Sequence, residues 1–201
     1  MSRNILLTFI LTISTVAFSQ EKRARDYGID FGVFKTGINN SITDVEGVKV
    51  GHVTLNYGKN VRTGVTAIIP HPYDPFRIKT PTAIFIGNGF GKLTGYSQVE
   101  ELGNSETPII LTNTLSVPTA SQALIEYTLN NNNNVRSVNP LVGETNDGRL
   151  NDIQGFHVKK EHVFKAIEKA SFKNIAEGNI GAGTGTVCFG FKGGIGIQES
   201  G

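Results

Sequence analysis

The order of its apolar segments is the feature that most constrains how this 201-residue chain folds. Runs rich in β-branched residues predict strands at 48–53, 62–69, 82–89 and 107–114, and a further apolar stretch at 138–142. Apolar residues at helical spacing predict helices at 119–129, after Pro118, and at 160–172, with a short helix at 97–102. This alternation of strands and helices predicts an α+β layered fold in which helices cover a sheet.

Glycine is the most over-represented residue type. The chain has 24 glycines, above the usual share of about 7%, and they follow no period, which excludes collagen. The glycine-rich stretch 181–196 reads as β-like, and glycines there would let another layer pack very close. Cys188 lies in this stretch between Val187 and Phe189. We expect a buried structural thiol rather than a nucleophile, because no base is evident beside it.

Charge and motif content exclude several classes of function. The net charge is +2 and no basic patch is interleaved with aromatics, so nucleic acid is not an expected partner. A single cysteine forms no internal disulfide and no zinc cluster. His157 and His162 are five residues apart, not the four of a helical metal pair, and are interpreted as surface or structural residues. Gly87, Gly89 and Gly91 precede no helix directly, which argues against a phosphate-binding loop.

The first 19 residues have the pattern of a signal peptide. Arg3 supplies the positive end, residues 5–16 are mostly apolar, and small residues precede a cut ahead of Gln20. The run is short for a membrane span, although an uncleaved N-terminal anchor is the alternative. We therefore expect a periplasmic or secreted protein, with no membrane association after cleavage and with residues 20–201 in a single domain.

The polar stretch 143–156 is the candidate site. Five carboxylate or amide side chains fall within it, on a turn that follows the apolar pair Leu141 and Val142: Glu144, Asn146, Asp147, Asn151 and Asp152. A strand that delivers such groups to its end suits the binding of an ammonium group. The alternative is a solvated turn, since Asn, Asp and Gly are ordinary turn residues.

Several motifs together carry a resemblance to a known family. They are Arg23-Ala24-Arg25-Asp26, the run 42–52, the run 61–67, Leu111-Thr112-Asn113-Thr114, the run 143–148 with 150–153, Gly183-Thr184-Gly185 and the run 190–196. In this order they resemble the L-aminopeptidase/D-esterase and β-peptidyl aminopeptidase family (DmpA-type). Each motif is weak alone, but their shared order over about 170 residues is specific.

The resemblance implies a fold and an activity. Family members are precursors that cut themselves into an α and a β chain, and the new N-terminal Ser of the β chain is the nucleophile. The implied fold is a four-layer αββα sandwich, and the implied assembly is a homo-oligomer of αβ pairs. Substrates are short peptides, amides or esters with a free N-terminal amine, and no metal or cofactor is implied. The α-amine of such a serine has a pKa near 8 and can act as base for its own hydroxyl.

The resemblance also assigns roles to two residues. Glu144 falls where the family places the acid that binds the substrate ammonium. Some members carry a Tyr near the scissile group two positions later; this chain departs from them with Asn146, which is the candidate for a leaving-group or oxyanion role. By the family pattern the oxyanion Asn and the nucleophile Ser lie beyond Gly201. Ser200 lacks the apolar strand that follows the family's nucleophile, so we expect this chain to be an α-chain portion, truncated and inactive without its complementary β chain.

Two other functions fit parts of the sequence. The chain could be a non-catalytic, exported relative that binds peptides or has a structural role and ends near Gly201. It could also resemble the related ornithine acetyltransferases, which share the fold and the N-terminal nucleophile. The predicted signal peptide argues against an acetyltransferase, because amino-acid biosynthesis is cytoplasmic.

Overall fold

The computed structural model describes residues 22–30, 32–33 and 35–198. The predicted signal peptide and Ser200 lie outside these residues. The chain divides into two units at residues 31 and 32, and the described part of the first holds one 3-10 turn, Ala24–Tyr27, which ends at Gly28 in a left-handed conformation. Within the described residues, no helix is long and apolar enough to cross a membrane.

The described residues of the second unit form nine strands and three α-helices. The strands are β1 Lys49–Tyr57, β2 Val61–Ile69, β3 Thr80–Pro81, β4 Leu93–Thr94, β5 Asn104–Ser105, β6 Ile109–Asn113, β7 Leu141–Thr145, β8 Val187–Cys188 and β9 Phe191–Lys192. The helices are α1 Tyr96–Leu102, α2 Val117–Asn131 and α3 Lys160–Glu168. Short 3-10 turns occur at Ile42–Asp44, Thr114–Ser116, Ile153–Gly155 and Gly181–Gly183.

Five strands form the main sheet, in the order β1-β2-β6-β7-β4. The strands β1 and β2 form an antiparallel hairpin, and β6 pairs antiparallel with β2. In contrast, β6 and β7 are parallel, with Thr112 opposite Glu144, and α2 forms the connection between them. The carboxyl ends of β6 and β7 therefore meet at one edge of the sheet, where loops commonly build binding sites.

Helices α2 and α3 pack on one face of this sheet and enclose the core. The strand residues in the core alternate along their strands, as expected for a sheet with one buried face. The central members of the cluster are Val53, Val65, Ala67, Ile110 and Val142 from the sheet, and Ala120, Leu124, Val163 and Ala166 from the helices. The predicted α+β class, with helices covering a sheet, is confirmed.

Glycines allow close contact at two places in this layered structure. A Cβ at Gly51 would overlap the Ala166 carbonyl oxygen and would lie 2.8 Å from the Ala170 nitrogen, so β1 and α3 touch backbone to backbone. The turn Gly181–Gly183 lies on β1 and β2, where the Gly181 amide donates to Thr54 Oγ1 at 2.9 Å and the Ala182 amide donates to Thr66 Oγ1 at 3.1 Å. The expected close packing of the glycine-rich stretch is confirmed there.

Two elements differ from their predictions. The strand predicted at 82–89 is wrong: β3 covers only Thr80–Pro81, and residues 82–92 form a loop. A strand needs a partner for its backbone hydrogen bonds, and the described residues supply only the bond from the Thr82 amide to Gly103. The helix predicted at 160–172 ends at Glu168, because the backbone of Ser171 exchanges both hydrogen bonds with Val50 of β1.

The glycine-rich stretch also differs from its prediction. Its strands are the two-residue β8 and β9, joined by Phe189 and Gly190, both with positive φ, and Ile195 adds an isolated bridge to Gly178. Cys188 is exposed on this hairpin, so the prediction of a buried thiol is wrong. The neighbouring Phe189 and Phe191 are exposed as well, which shows that apolar neighbours in sequence did not place this hairpin in the core.

Candidate functional site

The turn after β7 separates the five polar residues that the sequence places together. Glu144 is the fourth residue of β7 and is partly buried, whereas Asn146 is exposed. Asp147 and Asn151 point inward and are buried. Asp152 is partly exposed and contacts His157, with 3.1 Å between Oδ2 and Nε2. The five residues therefore lie in separate environments rather than in one cluster of carboxylates.

Asp147 holds the turn through buried hydrogen bonds. It is 1% exposed, and the Asn151 side-chain amide donates to its Oδ1 at 3.1 Å. Burial raises the pKa of Asp147, against hydrogen bonds from Thr63, Asn151 and Asn113 that lower it. Asn151 also accepts a hydrogen bond from the Arg62 amide at 3.0 Å, which ties the turn to β2. Satisfied buried networks of this kind fix one backbone conformation, so the end of β7 is rigidly placed.

Glu144 lines a cleft of about 380 Å³, which is within the size range of small-molecule sites. The cleft is formed by the loop 85–92, the start of β4, Tyr96 of α1 and the edge of β7. Gly91 brings the loop onto the carboxylate: a Cβ there would lie 3.4 Å from Glu144 Oε1. The rest of the lining is glycine backbone and apolar or aromatic side chains together with Asn88 and Lys92, and Glu144 is the one acidic group among the described residues that line the cleft.

One oxygen of Glu144 lacks a hydrogen-bond partner. Oε2 is buried, and none of the described residues bonds to it. Leaving a charged acceptor buried and unsatisfied costs about 1–3 kcal/mol or more. Such an atom beside a cleft is suited to a ligand that brings its own donor, and an ammonium group supplies up to three N–H donors and a compensating charge.

Asn146 is not one of the residues that line the cleft. Its Oδ1 accepts a hydrogen bond from the Gly148 amide at 3.1 Å, a local turn contact typical of Asn. The side chain is exposed and is not among the residues that line the cleft. A catalytic role for Asn146 stays a prediction.

A second buried network holds the start of β7. The carboxylate of Glu106 is 6% exposed and accepts hydrogen bonds from Lys79 Nζ, Gln98 Nε2 and, at 2.7 Å, the Asn139 amide. Burial alone would raise the pKa of Glu106, but the bonds from Lys79 and Asn139 outweigh it and lower the pKa. These contacts join α1 and the loop before β3 to the residues that lead into β7, so they help to place Glu144.

His52 links the sheet to the glycine-rich turn. Thr66 Oγ1 accepts a hydrogen bond from the Ala182 amide at 3.1 Å and lies within hydrogen-bond distance of His52 Nδ1, at 2.9 Å. Burial lowers the pKa of His52. This histidine has a structural role, and the described residues contain no group of three His, Cys, Asp or Glu that could hold a metal ion.

Sequence reasoning missed the far wall of the cleft. Phe85, Gly91, Lys92 and Tyr96 all line it, yet the segment from Phe85 to Lys92 was assigned to a strand and an ordinary glycine-rich connection. The available signal was the spacing Gly87, Gly89 and Gly91, because repeated glycines indicate a backbone that approaches another group closely. Of the three glycines, Gly91 makes such an approach, and the group that it approaches is the Glu144 carboxylate rather than a phosphate.

Comparisons with known proteins agree on one family. The model of peptidase family S58 matches residues 40–198. A β-peptidyl aminopeptidase, BapA of Sphingosinicella microcystinivorans, is 41% identical to this chain over 94% of the chain and 49% of its own length. The chain thus spans about half the length of the curated relatives that it matches.

Solved structures show the same similarity. A protein from Pyrococcus horikoshii OT3 superposes with a TM-score of 0.81 and 51% identity, over 85% of this chain and 52% of that one. The L-aminopeptidase D-Ala-esterase/amidase of Ochrobactrum anthropi, described as a prototype serine aminopeptidase with a variant of the Ntn hydrolase fold, gives 0.72 and 36%, over 85% and 50%. These superpositions confirm the predicted αββα-type fold, of which the described residues show one helix layer and one main sheet.

Proposed function

Because this chain belongs to peptidase family S58, we propose that it carries the amine-binding half of an exported aminopeptidase. The enzyme would hydrolyse short peptides, amides or esters that have a free N-terminal amine. Its nucleophile would be a serine made N-terminal by autocleavage, in the half of the family's length that this chain does not span. The family is one of serine-type, N-terminal-nucleophile aminopeptidases, as its relatives' names state.

The observation that carries the proposal is the unpartnered Oε2 of Glu144. A buried carboxylate oxygen beside a cleft favours a cationic ligand, and a substrate ammonium would satisfy both its charge and its hydrogen bonding. The parallel pair β6 and β7 places this oxygen at a rigid sheet edge. Fixed geometry of this kind lets a binding group orient a scissile bond, and orientation is a large part of catalysis.

Two further parts of the proposal concern assembly and location. Residues 1–19 would be removed as a signal peptide, so the enzyme would act in the periplasm or outside the cell. A complementary β chain and further copies would cover apolar side chains that are exposed in this chain, among them Phe85 at 94% and Phe189 at 97% exposure. Large apolar patches on a surface commonly mark interaction sites.

The test uses the product of the complete reading frame and two substrates, L-alanine p-nitroanilide and its N-acetyl derivative. We expect hydrolysis of the free amine only. The Glu144→Gln variant should lose about 10- to 150-fold in kcat/KM, the worth of a charge-assisted hydrogen bond of about 1.5–3 kcal/mol. Glu46→Gln is the matched control, because Glu46 is exposed, and it should match the parent protein.

Two results would count against the proposal. Equal hydrolysis of the free and acetylated substrates would remove the ammonium from recognition. An unchanged kcat/KM in Glu144→Gln would remove this carboxylate from the site. Binding of the amine without hydrolysis would instead favour the non-catalytic, peptide-binding relative.

A further inference from the structure

Lys92 comes directly before β4, and Glu144 lies in the neighbouring strand β7. The antiparallel register of β4 and β7 pairs Leu93 with Gly143 and Thr94 with Val142. One step further along this register places Lys92 across from Glu144. Directly opposed residues of an antiparallel pair project to the same side of a sheet, with Cβ atoms about 4.5–5.5 Å apart. A positive and a negative side chain therefore share one face at the edge of the cleft, and both line it.

These two opposite charges do not pair with each other. Lys92 Nζ donates to the Phe90 carbonyl at 3.2 Å and lies 5.0 Å from the centre of the Phe90 ring. Among the described residues it has no carboxylate partner, and Glu144 Oε2 likewise has no partner. Cross-strand pairs of opposite charge normally attract. Here the ammonium is held by a carbonyl and an aromatic face instead, a combination that stabilises a cation without neutralising it.

Lys92 also belongs to a second groove that adjoins the first. This groove is lined by Gly91, Lys92, Leu93 and Thr94 on one side, and by the segment from Thr114 to Pro118, at the start of α2, on the other. Gly91, Lys92 and Leu93 line both spaces. Because Glu144 and Lys92 both line the cleft, a small molecule in it can contact both side chains.

We propose that Lys92 makes the Glu144 cleft a site for zwitterions, in which Lys92 binds the carboxylate of a molecule whose ammonium is bound by Glu144. This inference rests on the proposed function and extends it to substrate class. Short peptides with a free C-terminus, or the amino acid released from them, bind more tightly than uncharged amides or alcohols with the same amine. Lys92 is thus a specificity-determining residue, because it selects the group next to the amine.

The experiment measures affinities for matched acid and alcohol pairs that an amidase cannot hydrolyse. L-Alanine and L-alaninol represent the free amino acid, while 5-aminopentanoate and 5-aminopentanol carry the charge spacing of a dipeptide backbone. Binding is followed by NMR titration of the full-length protein, and of its Lys92→Gln and Glu144→Gln variants. Lys173→Gln is the matched control, because Lys173 lies over the Phe172 ring at 5.2 Å in the same kind of contact.

We expect each protein to give a distinct pattern. In the parent protein at least one acid binds about fivefold or more tightly than its alcohol, the worth of a partly exposed ion pair. Lys92→Gln removes this preference and leaves the affinity for the alcohol within about twofold, while Lys173→Gln retains the preference. The pair that shows the preference identifies the source of the carboxylate as an amino acid or a peptide.

Other outcomes overturn the inference. Equal affinity of acid and alcohol in the parent protein would show that no carboxylate is bound. Stronger binding of both ligands by Lys92→Gln would mean that Lys92 blocks Glu144 rather than binding substrate. Glu144→Gln tests the proposed function separately: it weakens the acids and the alcohols alike if Glu144 binds the amine, whatever Lys92 does.

Discussion

The ion pair between the buried Glu106 and the partly exposed Lys79 gives a sharp prediction about stability. In Glu106→Gln the side-chain amide must face hydrogen-bond donors in either orientation: Lys79 and Gln98 on one side, or the Asn139 amide on the other. Hydrogen bonds to a charged group contribute about 1.5–3 kcal/mol each. Because Lys79 is 40% exposed and water can replace part of its bond, we expect a loss of about 2–3 kcal/mol in the free energy of unfolding.

The assay is urea unfolding at pH 7 and at pH 3, followed by circular dichroism. At pH 7 the midpoint should fall by about 1–1.5 M urea for an m-value near 2 kcal/mol/M. The folded state lowers the pKa of Glu106, so its contribution is present above the unfolded pKa of about 4.3 and is lost as the pH falls through the folded pKa. The difference between parent and variant should therefore shrink at pH 3.

The control is the partly exposed pair Glu126–Lys160, which lacks a second buried partner network among the described residues and whose Oε1 and Nζ atoms are 2.7 Å apart. Glu126→Gln should cost less than about 1 kcal/mol, as surface pairs do. If Glu106→Gln lost no more than this control, or lost as much at pH 3 as at pH 7, the argument for a buried and deprotonated Glu106 would be wrong.

Two further predictions concern packing and pH. Gly51→Ala should destabilise the protein by about 3 kcal/mol or more, because the new methyl group meets the α3 backbone. The control Gly196→Ala, which has open space around it, should change the free energy of unfolding by less than about 0.5 kcal/mol. Equal effects of the two substitutions in thermal unfolding would contradict the close contact. Burial lowers the pKa of both His52 and His162, so their contributions to stability are present above the unfolded value of about 6.5 and are lost as the pH falls through the folded pKa. Between pH 7.5 and 5, the free energy of unfolding should therefore change less steeply with pH in His52→Gln, and less steeply still when His162 is also replaced. An unchanged dependence on pH would exclude this titration.

Periodic apolar patterns predicted the parts of the fold that a covered sheet dictates. The strands β1, β2 and β6 and the helix α2 lie where alternation or helical spacing placed them, because each buries one face against the others. Pro118 marked the start of α2 correctly, since proline fits the first turn of a helix. Glu144 was identified from a resemblance, and the structure adds that it lines a cleft.

Other features could not be read from local sequence, because they depend on distant partners. Residues 82–89 have strand-like composition, but no described strand pairs with them. Asp147 and Asn146 are neighbours with similar turn preference, yet Asp147 is buried through contacts with β2 and β6 while Asn146 is exposed. The placement of Lys92 near Glu144 depends on the register of β4 and β7, which brings together residues that are 52 positions apart in the chain.

The central claim is that Glu144 Oε2 binds the ammonium group of the substrate. The most direct measurement is a crystal structure of the protein with L-alaninol, an amine that it cannot hydrolyse. We predict that the ligand nitrogen lies about 2.7–3.1 Å from Glu144 Oε2, the range of a charge-assisted hydrogen bond. A ligand bound elsewhere, or an Oε2 atom bonded to Lys92 Nζ in the complex, would contradict the claim.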